Sequence, residues 1–225
     1  MTSISQPEHI TLRSQVYAAV LGAMLTVFAL VGGLMGGLIG GSFTFHGLIG
    51  KAPNLLTYTL AALIFGTGIL GGSALWGVGM SRLARSPALR RAAGASILGF
   101  APITILLNFA LLPVEPIILQ SHLPVHRVFT MLFVPTAFLI AGMSSLALGR
   151  ALGWRRAAPA LALHVGLAAA LAFLVTNLAM EGFGWMIGSP GAEERGTMIT
   201  VLIVSNLGAA LAGGAMLGLK LTQPQ

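Results

Sequence analysis

Residues 155–181 read RRAAPALALHVGLAAALAFLVTNLAME. Two arginines open the stretch, and no further charged side chain follows until Glu181. A helix rises 1.5 Å per residue, so 159–181 would extend roughly 35 Å, enough to cross a hydrocarbon core of about 30 Å. The stretch therefore reads as a transmembrane helix with cations at one mouth and a carboxylate at the other. Equivalent runs lie near 17–39, 55–79, 93–113, 128–149 and 198–219. The segment 114–125, flanked or broken by Pro113, Pro116 and Pro124, reads as interfacial rather than spanning. The expected fold is an all-α integral membrane protein: one polytopic domain over 1–225, a bundle of about six transmembrane helices with short loops and no soluble domain.

Composition agrees. Hydrophobic residues make up 56% of the 225 and charged residues only 8%, against roughly 25% charged in soluble domains. The mean hydropathy is +0.92. A net charge of +7 would suggest nucleic acid in a soluble protein, but these cations sit in short clusters between apolar runs, where they act as topology signals. The expected surroundings are the lipid bilayer of a bacterial or archaeal plasma membrane, with no nucleic acid. The apolar run that begins near residue 17 exceeds the roughly 7–15 residues of a signal-peptide core, so the first helix is expected to be retained.

The same cations set the orientation. With the N-terminus inside, Arg13, Arg82, Arg85, Arg90, Arg91, Arg150, Arg155, Arg156 and Lys220 are cytoplasmic, and only Lys51, Arg127 and Arg195 lie outside. Glu115, Glu181, Glu193 and Glu194 then fall at or beyond the outer surface. Both ends of the chain are thus expected in the cytoplasm. Arg-Arg-Ala-Ala occurs twice, at Arg90–Ala93 and Arg155–Ala158. This faint echo has two readings, a direct repeat of two helices or the chance recurrence of a basic turn before an Ala-rich helix.

Lipid offers no hydrophobic driving force between helices, so close packing depends on small residues. The first helix carries Gly32, Gly33, Gly36, Gly37, Gly40 and Gly41, two parallel stripes at a spacing of four. They suit self-association or docking onto other membrane subunits, and equally packing inside the chain's own bundle. The second helix offers Gly68, Gly72, Ser73 and Gly77, and the sixth aligns Asn206, Ala210, Gly214 and Gly218 on one face.

Polar groups within the spans are few. Asn108, Asn177 and Asn206 each stand about 4–8 residues from the outer end of a span, or roughly 6–12 Å deep. Thr104, Asn108 and Glu115 share a face of the third helix, and Glu181 stands one turn above Asn177. These six residues are the candidate ligand-binding set, lining a cavity open to the outside. Alternatively each Asn bonds a neighbouring helix for roughly 0.6–2 kcal/mol.

Catalytic constellations are missing. Cys and Asp are absent, which removes thiol nucleophiles, thiolate metal sites and aspartate dyads. His122 and His126 have an i, i+4 spacing, but Pro124 between them breaks a regular helix, so no metal is assigned. His164 is the one His well inside a span, which argues against a bis-imidazole haem. No His-Glu-x-x-His helix or P-loop occurs. No cofactor is indicated and the chain is read as non-catalytic. The plan of six helices with both ends inside resembles the substrate-binding subunits of vitamin-uptake transporters, in architecture alone and with no shared motif. Two functions are expected to compete: a transport component holding a small solute in the outer half of the bundle with partner subunits, or a non-catalytic accessory subunit of a respiratory, photosynthetic or secretion complex.

Overall fold

A computed structural model describes residues 12–47, 55–111, 125–182 and 192–223, with side-chain surroundings described over 12–32, most of 63–100, 132–180 and most of 201–223. Among these residues there are six helices: α1 (Leu12–Gly47), α2 (Leu55–Leu83), α3 (Leu89–Leu111), α4 (Val125–Ala151), α5 (Ala158–Gly182) and α6 (Ala192–Leu221). Four of them are long and apolar enough over their described residues to cross a membrane: Leu12–Gly32, Leu132–Ala151, Ala158–Met180 and Ile203–Leu221. The chain is a helical membrane protein.

Each helix packs on its neighbours in sequence, and α1 packs on α6, so the six close into a ring. Helix α6 also touches α2 and α4 and therefore lies toward the centre. The helices extend past the expected spans, notably α1 at both ends and α6, which starts at Ala192 rather than near 198. Helix α4 starts at Val125. Pro135 inside α4 withholds one backbone hydrogen bond.

Lipid-facing and inward-facing residues are both largely apolar, and the inward face adds small residues and a few buried polar ones. On α5, Leu163, Leu167, Leu171, Val175 and Leu178 are exposed, whereas Leu161, Val165, Ala169, Phe173 and Asn177 form a buried stripe at a spacing of four. Water would penalise such a surface heavily, and a hydrocarbon solvent does not.

Glycine permits close approach at every seam of the ring. A Cβ on Gly22 would collide with the Gly214 carbonyl, and one on Gly218 with the Ala18 carbonyl, so α1 and α6 meet backbone to backbone. Gly79 receives Leu25 between α1 and α2, Gly77 meets Ala92 and Ser96 between α2 and α3, and Gly99 meets Ser144 and Ala147 between α3 and α4. Gly142 faces Ala162 between α4 and α5, and Gly208 faces Thr176 between α5 and α6. Over the described residues the α1–α6 seam uses Ala18 and Gly22, and Gly32, the one stripe glycine with described surroundings, is exposed with nothing within 4 Å of a Cβ placed there. Gly33, Gly36, Gly37, Gly40 and Gly41 are helical, and their surroundings lie outside the described residues.

Both described turns stop their helices alike. After α2, Ser86 N–H reaches back to the Ser81 carbonyl at 2.9 Å with Arg85 at φ 51°. After α4, Trp154 N–H reaches the Gly149 carbonyl at 2.9 Å with Gly153 at φ 92°. A left-handed residue followed by this long backward bond is a Schellman stop. The two Arg-Arg-Ala-Ala sequences differ in register, since Arg90 and Arg91 stand in the first turn of α3 whereas Arg155 and Arg156 precede α5. Arg13, Arg82, Arg85, Arg90, Arg91, Arg150, Arg155, Arg156 and Lys220 gather at one end of the bundle.

Candidate functional site: a hollow inside the ring

Below its centre the ring is solid. Trp76, Met80, Leu148, Leu161, Leu217 and Leu221 form a buried cluster near the basic end, with Met80, Leu148 and Leu217 wholly inaccessible. Leu83, Leu152 and Trp154 pack beneath it. A second cluster of Ala169, Phe173 and Ala209 sits among α4, α5 and α6, where the Phe133 and Phe173 rings stack with centroids 6.1 Å apart.

Above the basal plug lies a cavity of about 210 Å³ to which all six helices contribute. Thr26 of α1, Trp76 of α2, Phe100 of α3, Thr136 and Ser145 of α4, Val165 of α5 and Asn206 of α6 mark its walls. The α4 wall is the most polar, because two adjacent stripes, Thr136–Ile140–Ser144 and Ala137–Ala141–Ser145, both face inward. Glycine shapes the opposite wall: Gly213 and Gly214 line the cavity, and Gly214 also lets α1 approach α6.

The wall hydroxyls share one habit. Ser73 donates to the Ile69 carbonyl at 2.6 Å, Thr136 to Leu132 at 2.7 Å, Ser144 to Ile140 at 2.6 Å and Ser145 to Ala141 at 2.7 Å. Each proton is thus spent on the carbonyl four residues earlier in the same helix. Thr26 donates likewise to Gly22 at 2.9 Å and accepts the indole N–H of Trp76 at 2.9 Å. Among the described lining residues none is charged.

The sequence candidates separate in this arrangement. Asn206 lines the cavity. It lies near the middle of α6 as a whole and three residues inside its apolar stretch Ile203–Leu221. Asn177 is buried at 2% exposure one turn beyond Phe173 and is not among the cavity-lining residues. Thr104 and Asn108 lie on α3 and Glu181 on α5, with side-chain surroundings outside the described residues, and Glu115 lies outside them altogether. His122 is likewise outside, and His126 falls in the first turn of α4. His164 is exposed, its Nδ1 at 2.6 Å from the Ala160 carbonyl.

Sequence reading passed over the hydroxyl-bearing wall of α4 and the Thr26–Trp76 pair. The adjacent Ser144 and Ser145 were the available signal. Helical serines so often bond their own backbone that hydroxyls alone do not mark a cavity. Ser205, beside Asn206, is fully buried and its Oγ has no hydrogen-bond partner. No protein-family model, curated protein or solved structure matches this chain.

Proposed function

We propose that this chain spans the membrane six times with both ends in the cytoplasm, and that it serves as the solute-binding part of a transport system that works with partner subunits. The observation that carries this reading is the hollow itself. A space of about 210 Å³ is left beside Ala137, Ala141, Ala209 and Gly213, where larger side chains would fill it. A ring that keeps its plug at one end and its space in the middle is suited to holding a guest. The basic end, taken as cytoplasmic by its nine cations, is the closed one. The space lies between that plug and the level of Asn206 on α6.

The test is a thermal-unfolding screen of the purified protein in mild detergent against small neutral solutes. A guest that occupies the hollow raises the unfolding temperature in proportion to its occupancy. Ala141→Phe, which fills the hollow, removes that response.

A second reading, the accessory subunit, draws on a different surface. A groove on the lipid side runs along α6 between α1 and α5, bordered by Ala19, Ala23, Gly208, Ala212, Ala215 and Thr176. Small residues at this spacing suit a helix from another chain. Recovery of a partner that depends on this groove, without any solute response, would favour it.

A further inference from the structure

The cavity walls carry information about the guest's chemistry, and the inference rests on the hollow being a binding site, as proposed above. Three observations converge. First, none of the described lining residues is charged, and a buried ion without a counter-charge costs several kcal/mol. An ionic guest would lose more on leaving water than these walls return. Second, the bulk is limited. The space of about 210 Å³ is somewhat larger than the ~150 Å³ apolar cavity that accepts benzene.

Third, the wall hydroxyls are biased toward accepting. Thr136, Ser144 and Ser145 have each given their proton to a carbonyl of α4. Across the cavity the Trp76 N–H is spent on Thr26, and Ser73 is committed to Ile69. A hydroxyl that donates once still holds acceptor lone pairs. Besides the amide of Asn206, a guest with only acceptors finds no donor among these hydroxyls or the indole, whereas a guest with an O–H or N–H finds several acceptors along α4.

We infer that the hollow takes an uncharged, largely apolar molecule about the bulk of a substituted benzene ring, which presents a hydrogen-bond donor to the Thr136–Ser145 face of α4. The aromatic rings of Trp76, Phe100 and Phe133 supply its apolar surroundings.

The experiment uses the full chain in mild detergent, isothermal titration calorimetry with empty-micelle subtraction, and two probes of one shape, p-cresol and p-xylene. Both should saturate a single site, and Ala141→Phe should abolish both. In the Thr136→Val, Ser145→Ala double variant, p-cresol should weaken about fivefold while p-xylene stays within about twofold, since one neutral hydrogen bond is lost and the volume is nearly unchanged. Unchanged p-xylene binding also establishes that the variant is folded, and Thr136→Val alone should show a smaller change of the same sign. The anion 4-methylbenzoate should bind at least about tenfold more weakly than p-cresol. Equal changes for both neutral probes in the double variant, or no change for either, would overturn the donor assignment and leave the hollow a binding site. Tight binding of the benzoate would overturn the neutral class. Failure of p-cresol and p-xylene to saturate any site lost in Ala141→Phe would overturn the reading of the hollow itself.

Discussion

The indole Nε1 of Trp76 donates to Thr26 Oγ1 at 2.9 Å, so a side chain of α2 is tied to α1 at the floor of the cavity. Thr26 in turn donates to Gly22, the residue at which α1 meets the backbone of α6. One hydroxyl thus couples three helices and faces the hollow. Replacing Thr26 by Val keeps its shape and leaves a buried indole N–H without an acceptor. The expected loss is about 1–3 kcal/mol, read as a lower unfolding midpoint in detergent, with Thr26→Ser close to wild type.

Glycines that look alike in sequence are expected to behave oppositely. Gly218→Ala drives a methyl into the Ala18 carbonyl of α1 and should destabilise by about 1–3 kcal/mol. Gly32→Ala meets open space and should be neutral or stabilising by up to about 1 kcal/mol, the gain in helix propensity. Parallel unfolding curves decide it, and equal losses at both sites would mean that Gly32 has a close neighbour.

The two Schellman stops give a second opposed pair. Gly153 holds φ 92° at no steric cost, whereas Arg85 holds φ 51° with a Cβ. Gly153→Ala should cost about 1 kcal/mol, and Arg85→Gly should be neutral or gain up to about that amount. Loss of stability on Arg85→Gly would show that the guanidinium contributes more than the turn's strain removes.

Ser205 offers a diagnostic of a different kind. Its buried Oγ has no partner, and such an orphan costs roughly 1–3 kcal/mol. Ser205→Ala should therefore stabilise the protein, measured by the same unfolding assay. A loss of stability would instead show that the hydroxyl has a partner in the folded protein.

Helix identity was legible from the sequence because a bilayer demands long apolar runs and puts basic residues at one mouth. The inward faces were harder to read. In lipid both sides of a helix are apolar, so Leu167 and Val165 differ in size and neighbours rather than in kind. A spacing of four between glycines announces close packing without naming the neighbour, which is why Gly32 drew more attention than Ala18 and Gly22. Asn206 stood out because an amide in a span is rare, and it lines the cavity. The acceptor face of Thr136, Ser144 and Ser145 became visible only once α4 was seen to turn two adjacent stripes inward.

Sidedness is tested by chemical access. A Cys at Arg85 or Arg155 should resist an impermeant thiol reagent in intact cells, whereas one at Gly191 should react, because the basic mouths are held inside. The native chain has no cysteine to interfere. The reverse pattern would place the basal plug at the outer surface.

The central claim, that the hollow holds a guest, is tested most directly by purifying the wild type and Ala141→Phe from the same native membranes in mild detergent and comparing the small molecules released on denaturation by mass spectrometry. An uncharged molecule recovered near one per chain from the wild type, and absent from an equally folded Ala141→Phe, is the predicted result. Identical released molecules from both proteins, with Ala141→Phe the more stable, would make the hollow a packing defect and contradict the account.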